Sequence, residues 1–270
     1  MTPEHAEAHL NGGSLTVIGT GIRTVGQLTT EAIAWMRNAD RLLHVVADPI
    51  AENAMRQLNP SSASLSGYYG EGKPRSETYE QMVQHIVGCV RAGNQTCAAF
   101  YGHPGVFAYP SHESIRRARA EGYPAQMLPA VSAEDCLFAD LGVDPATGGC
   151  QSYEATDFVM HRRLVDPSSQ LLLWQVGSLG DWTYRRNGYN LHAFPLLVQR
   201  LLELYPPTHN VVVYEAAVFP MCPPTVKTVP LANLNEHDVT AASTLYVPAA
   251  RAPTPDPYVQ QALAGAAGVS

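Results

Sequence analysis

Between residues 68 and 79 lie five side chains whose types and spacing suit a reactive cluster: Tyr68, Tyr69, Lys73, Arg75 and Tyr79. They straddle a glycine-containing stretch and the start of a strongly periodic segment. Arg75 and Tyr79 are four apart, so a helix beginning near Arg75 places both on one face. Arginine is a fixed cation with a planar fork of donors, and beside a phenol it favours the phenolate. Such a pair can polarise a carbonyl and take or relay a proton. The same residues fit a plain account, with Tyr79 in a core stripe and Arg75 a surface charge.

A second stretch, Phe100–Tyr109 (Phe-Tyr-Gly-His-Pro-Gly-Val-Phe-Ala-Tyr), follows an apolar, strand-like run. Loops at the carboxyl ends of strands in open α/β sheets are where ligands bind. Gly102 and Gly105 let backbone approach a ligand, and Pro104 stiffens the turn. The loop reads as a cradle for an organic ligand or as an ordinary strand-to-helix turn. Third, Ser132-Ala133-Glu134-Asp135 reads as a helix cap with acids in the first turn, whose backbone and hydroxyl can also face a ligand. Trp174-Gln175-Val176-Gly177, Tyr214-Glu215-Ala216 and Ser243-Thr244 fall at or beside strand ends and can complete one cleft.

The elements that must position these residues alternate. Strands are expected at 14–19, 41–46, 63–65, 96–100 and 125–128, and helices at 28–38, 49–58, 76–92 and 111–121. In the third helix Tyr79, Met82, Val83, Ile86, Val87 and Val90 recur at three and four, with Ser76 as N-cap and Gly93 as stop. Alternation implies parallel strands with crossover helices. Pro129-Ala130-Val131 marks a junction, and Ser132 then caps a helix to Leu141. Further strands at 151–154, 170–176, 210–214, 225–229 and 243–247, with a helix over 191–204, are joined by connections too short for crossovers, so the second sheet is expected to be mixed. This gives an α/β domain at 14–128, a second at 129–248 and a Pro- and Ala-rich tail at 249–270 that can carry a short docking helix. Residues 177–190 form a long loop open to three readings: a pocket gate, a subunit contact or plain surface.

Gly19-x-Gly21 after the first strand invites a dinucleotide reading, which fails in detail. The next glycine is Gly26, and Asp40 precedes the second strand instead of ending it. No Gly-Lys-Ser/Thr follows, which counts more strongly still against a P-loop. The 270 residues are 46% hydrophobic and 15% charged, enough to bury a core. A net charge of -7 argues against a general nucleic-acid binder. The five cysteines and ten histidines show no metal-ligand spacing, so no metal is expected. The scattered thiols read as a reducing, cytoplasmic compartment. No membrane span is expected, and Met1–Gly13, polar with Glu4 and Glu7, does not read as a signal peptide.

In order, these motifs resemble the tetrapyrrole methylase fold: Gly19-x-Gly21, then Gly102-x-Pro104-Gly105, then Pro129-x-Val131-Ser132-Ala133. His103 stands where most members carry Asp. Within that superfamily the chain resembles borosin-type peptide backbone α-N-methyltransferases. The shared blocks are Tyr101–Phe107, Thr78–Val83, Ser132–Leu141, Tyr153–Ala155 and Ser243-Thr244, and the likeness runs from Ser14 to Pro248. It implies two α/β domains, the first sheet mainly parallel and the second mixed, with S-adenosylmethionine between them. It implies catalytic roles for Arg75 and Tyr79 and places Tyr69 at the substrate amide. Cofactor contacts are implied for Tyr101 and the loop through His103, Pro104, Val106 and Phe107. Others are implied for Ser132, Ala133, Gln175, Ala216, Ser243 and Thr244, with Tyr214 beside them.

Ser66 stands where some members carry another active-site Tyr; neighbouring Tyr68 is a candidate substitute, but its side chain is expected to point elsewhere. Several members carry their peptide as a C-terminal extension, whereas this chain resembles the split type, with a precursor peptide supplied as a separate chain. A homodimer is implied as well. A small-molecule, tetrapyrrole-type methyltransferase shares the fold and cofactor, but His103 and the Tyr69/Arg75/Tyr79 set weigh against it. A protein that binds cofactor or peptide without turnover is the remaining alternative.

Overall fold

Parallel strands buried on both faces read as apolar runs whose side chains alternate between two helical layers. The computed structural model, which describes residues 12–267, is built this way in its first half. Strands β1 (Ser14–Gly19), β2 (Arg41–Val45), β3 (Ala63–Ser64), β4 (Gln95–Phe100) and β5 (Ala125–Met127) form a sheet in the order β3-β2-β4-β1-β5. Every pairing in it is parallel. Helices α1 (Thr30–Asn38) and α2 (Pro49–Leu58) cover one face, packing Ala32, Met36 and Met55 against Ile18, Leu42 and Ala99. Helices α3 (Arg75–Arg91) and α4 (Tyr109–Ala120) cover the other, packing Met82, Ile86, Val90 and Ile115 against Val17, Leu43 and Ala98.

That division positions a site. The neighbouring strands β1 and β4 send their chains to opposite faces, β1 into α1 and β4 into α4. Their exit loops therefore start side by side at the carboxyl edge of the sheet, where such folds bind ligands, before the chains turn to opposite faces. After β5, helix α5 (Ala133–Leu141) begins at Ser132, the expected cap, and its side chain and that of Asp135 bond reciprocally.

The second half forms a mixed sheet, as its short connections imply. Strands β6 (Cys150–Glu154), β7 (Gln170–Trp174), β8 (Asn210–Glu215), β9 (Thr225–Pro230) and β10 (Thr244–Val247) lie in the order β6-β7-β10-β8-β9. β6 and β7 are parallel, and β10 is antiparallel to both β7 and β8. Helices α6 (Ala155–Met160) and α7 (Phe194–Leu202) supply Phe158, Phe194 and Leu197 to its core. α8 (Pro257–Ala267) lies within the stretch expected as a tail.

The chain divides into two compact units. The first runs through α5 to Val143 and takes in Asp181–Gly188 and Glu215–Thr225 from later in the sequence; the second comprises Asp144–Gly180, Tyr189–Tyr214 and the chain from Val226 on.

Several element boundaries differ from the sequence reading, each for a local reason. α3 starts at Arg75 with Pro74 as its cap residue, so Ser76 lies inside the first turn and is not the N-cap. The proline's φ of -56° already suits the turn, and the Arg75 N–H is satisfied from outside the helix by Trp182 O at 2.9 Å. α4 and α7 each start where a proline, Pro110 or Pro195, occupies the first turn. The short α6 was not anticipated; the Glu154 carboxylate caps it by accepting the Asp157 N–H at 2.7 Å. The reading of Met1–Gly13 falls almost wholly outside the described residues.

Candidate functional site

Arg75 and Tyr79 occupy the first two turns of α3, one turn apart, and both are half-buried. The helix stripe below them sinks into the core, with Met82, Val83, Ile86 and Val90 all essentially inaccessible. The guanidinium of Arg75 donates to the carbonyl of Asp181. The ring of Tyr79 stacks on Tyr109 at the start of α4, with centroids 6.3 Å apart. Tyr79 therefore continues the core stripe at its upper end, where the stripe reaches a half-exposed aromatic.

Tyr69 leaves the 66–68 turn half-buried, its ring 4.7 Å from that of Tyr184. Tyr68 points elsewhere: its hydroxyl is 2.9 Å from His85 Nδ1 in the body of α3. It therefore does not take the place of the tyrosine that Ser66 lacks. Lys73 is a strut, donating to the Tyr68 carbonyl at 2.9 Å and to Gln81 Oε1 at 2.6 Å. Of the five-residue cluster, Tyr68 and Lys73 hold the loop, whereas Tyr69, Arg75 and Tyr79 face Tyr184, the Asp181 carbonyl and Tyr109 respectively.

The exit loops of β1 and β4 meet through glycine. Gly21 and Gly102, both with φ near +72°, exchange backbone hydrogen bonds of 3.3 and 2.9 Å. Gly19 packs so tightly that a Cβ there would lie 2.2 Å from Gly102 O and 2.7 Å from Pro104 Cδ. His103 is folded into its own loop, its Nδ1 accepting the Gly105 N–H at 2.9 Å, which leaves the ring proton on Nε2. Phe107 adopts a positive φ of 51°, and Val106 and Phe107 stay exposed beside Tyr101. Tyr101 keeps 39% of its surface open. Burial, with smaller contributions from Cys136 and Asp48, nonetheless pushes its phenol up to about 12. It is a neutral hydroxyl at any working pH.

Ser132 is buried, and its hydroxyl is committed to the cap, donating to Asp135 Oδ2 at 2.7 Å and accepting the Asp135 N–H at 3.2 Å. Ala133 is the first residue of α5. Ala216 follows β8 in a stretch that joins the first unit, where Val218 O accepts the Thr24 N–H at 2.8 Å.

The remaining sequence-derived residues belong to the second unit. Gln175 follows β7 in a left-handed conformation, φ 59°, and its carbonyl accepts the Ser178 N–H at 3.0 Å. Thr244 pairs directly with Tyr214 across the antiparallel β10–β8 ladder, and both are buried. Ser243 Oγ accepts the Thr240 N–H at 2.8 Å and fixes the turn into β10.

Sequence reasoning missed the part played by the 177–190 loop. Its Asp181–Tyr184 portion runs antiparallel to Gly72–Arg75, with a bridge between Pro74 and Thr183. The available signal was Asp181-x-Thr183, a turn-forming pair whose carboxylate can bind the residue two ahead. Nothing local reveals what such a turn docks onto. Among the described residues no group of three or more His, Cys, Asp or Glu side chains could hold a metal ion.

Known proteins resemble this chain. The family model of tetrapyrrole (corrin/porphyrin) methylases matches residues 14–229. The methyltransferase/ribosomally synthesized cyclic peptide dendrothelin A precursor of Dendrothele bispora is 42% identical over 240 residues, 87% of this chain and 58% of that protein. The corresponding omphalotin A precursor of Omphalotus olearius gives the same figures. A methyltransferase/type III borosin cyclic peptide precursor of Anomoporia bombycina is 43% identical over 88% of this chain and 28% of its own length. The chain thus spans from about a quarter to somewhat over half of these relatives. Among solved structures, uroporphyrin-III-C-methyltransferase from Thermus thermophilus matches with a TM-score of 0.62 at 19% identity, covering 89% of this chain and 94% of that one. A likeness at that identity speaks for the fold alone.

Proposed function

Since the chain belongs to the tetrapyrrole (corrin/porphyrin) methylase family, we propose that it uses S-adenosylmethionine to α-N-methylate backbone amides of a ribosomally made peptide. What most supports a peptide substrate is the Tyr69, Arg75 and Tyr79 set at the head of α3, together with relatives whose names pair methyltransferase with peptide precursor.

The residues present fit the cofactor. Where the β1 and β4 loops meet, a Cβ at Gly19 would strike backbone, so the loops are kept bare at a carboxyl edge suited to an organic ligand. Tyr101, Val106 and Phe107 offer open apolar surface beside that edge, and Ser132 and Ala133 begin a helix N-terminus. In this reading His103 and Pro104 shape the loop, and Ala216, Gln175, Tyr214, Ser243 and Thr244 complete the binding set. When bound, the cofactor supplies an electrophilic methyl sulfonium.

The chain's own residues must make an amide nitrogen reactive, although its lone pair is delocalised into the carbonyl. Arg75 places a permanent positive charge where the amide oxygen becomes negative, imidate-like, as the nitrogen loses its proton. Tyr79, or a water it holds, takes the nitrogen's proton. Tyr69 orients the peptide plane. Holding the partners aligned supplies much of the remaining barrier reduction.

The peptide is proposed to act as a separate chain, because the reading draws every catalytic group from residues 69–79 and needs no covalent link. A homodimer and a cytoplasmic setting belong to the same reading; among the described residues no helix is long and apolar enough to cross a membrane. Incubation of the protein with S-adenosylmethionine and separately made candidate peptides, followed by intact-mass analysis, tests it. Mass steps of one methyl on backbone amides are expected. No methylated peptide, with S-adenosylmethionine bound but unconsumed, would leave a binding protein in its place.

A further inference from the structure

The segment Asp181–Tyr184 has no part in the reaction as described, yet it touches two of the residues that carry it. Gly72 N–H donates to Tyr184 O, Tyr184 N–H to Lys73 O and Arg75 N–H to Trp182 O, each at 2.9 Å. Asp181 Oδ1 accepts from the Thr183 N–H at 2.8 Å and the Thr183 hydroxyl at 2.6 Å, folding a tight turn. That turn presents the Asp181 carbonyl to the Arg75 guanidinium. The Tyr184 ring lies against Tyr69, tilted by 33°. Outside these contacts, Glu71 accepts the Arg186 N–H at 3.0 Å and pairs with the Arg185 side chain, closing the ladder at its far end.

We infer that Asp181–Tyr184 is the positioning element of the methyl-transfer site, setting the plane of the Arg75 guanidinium through the Asp181 carbonyl and the ring of Tyr69 through Tyr184. The inference rests on the reaction proposed above. A guanidinium carries five donors in one plane. Committing one to a backbone carbonyl that is itself locked by a turn fixes the direction of the others. A tyrosine ring on a glycine-containing loop needs a wall to hold its plane, and Tyr184 is anchored through both its backbone N–H and its carbonyl. Burial of the Asp181 carboxylate opposes its ionisation, but hydrogen bonds from Thr183 and the charge of Arg185 outweigh this and hold it below the usual carboxylate range. The turn therefore persists through the neutral range. Nothing in this role requires Asp181, Thr183 or Tyr184 to touch substrate, so they are positioning residues.

Three variants of the full chain test this: Tyr184→Ala, Tyr184→Phe and Thr183→Val, each assayed with S-adenosylmethionine and a separate peptide. Misplacing catalytic groups by about 1 Å can lower a rate by about a hundredfold. Tyr184→Ala is expected to lower kcat at least about tenfold, with KM for peptide less affected and cofactor affinity within about twofold of wild type. Tyr184→Phe, which keeps the ring, is expected to restore the rate. Thr183→Val, nearly isosteric, is expected to slow transfer while leaving the fold intact. Hydrogen exchange at the Gly72 and Arg75 amides should quicken in Tyr184→Ala and Thr183→Val. A Tyr184→Ala protein as fast as wild type, or a Thr183→Val protein with wild-type rate and exchange, overturns the inference while leaving the reaction standing. A wild type that never methylates peptide sinks the reaction itself, a different result read in a different sample.

Discussion

Gly19 and Gly102 approach each other so closely that a Cβ on the first would lie 2.2 Å from the carbonyl oxygen of the second. The obstruction is backbone on a strand exit, which cannot rotate away as a side chain can. Gly19→Ala must therefore spread the β1 and β4 loops, and overpacking of this kind destabilises by about 1–3 kcal/mol. Thermal unfolding should show the loss. Because the same loops form the expected cofactor edge, calorimetry should show S-adenosylmethionine affinity falling further than for Gly26→Ala, where an added Cβ meets nothing closer than 3.8 Å.

Arg75 and Tyr79 share a face of α3, so replacing either should remove transition-state stabilisation without unfolding the helix. Arg75→Ala and Tyr79→Phe are each expected to slow methyl transfer by about a hundredfold or more, since one preorganised donor is commonly worth about 3 kcal/mol. Arg75→Lys should recover little, because an ammonium cannot both hold the Asp181 carbonyl and present a planar fork. Single-turnover mass spectrometry checks the rates. Full methylation by both Arg75→Ala and Tyr79→Phe discards the assignment.

Ser132 has two assigned jobs, and its hydrogen bonds separate them. The hydroxyl is spent within the cap, so Ser132→Ala should lose about 1 kcal/mol of stability, as cap removals do. Any cofactor contact by this residue is then through its backbone, and affinity should change little. Denaturant unfolding alongside calorimetry distinguishes these outcomes; a large affinity loss at unchanged stability would assign the hydroxyl to the ligand instead.

Much of this was legible in the sequence. Periodicity in 79–90 located the buried face of α3 because a helix records its packing at intervals of three and four. The Ser132 and Asp135 pair announced its own cap. The alternation of short apolar runs with helices gave the parallel first sheet, and short connections gave the mixed second one. What stayed hidden were long-range decisions. Pro74, not Ser76, precedes α3 because Trp182, more than a hundred residues away, supplies the acceptor for Arg75 N–H. The docking of Asp181–Tyr184 on Gly72–Arg75 depends on backbone pairing, which leaves no side-chain period to read. Tyr68 and Tyr69 are adjacent and chemically identical, so their residue types alone do not separate them; the family resemblance picks out Tyr69, and their packing, against His85 and Tyr184 respectively, gives the physical difference.

His44, the penultimate residue of β2, is 1% exposed, and no partner is found for its Nδ1 among the described residues. Burial lowers its pKa below the ordinary 6.5; Glu52 opposes the shift and Arg56 adds to it. The folded chain therefore keeps His44 neutral at a pH where the unfolded chain protonates it. Below about pH 6.5 the unfolded state binds a proton that the folded state refuses, so the His44 contribution to stability is complete above that pH and is lost as pH falls through the folded pKa. Chemical denaturation between about pH 8 and pH 5 should show the midpoint falling with acid, and His44→Leu should flatten that limb. An equally steep limb in His44→Leu would assign the acid sensitivity to other groups.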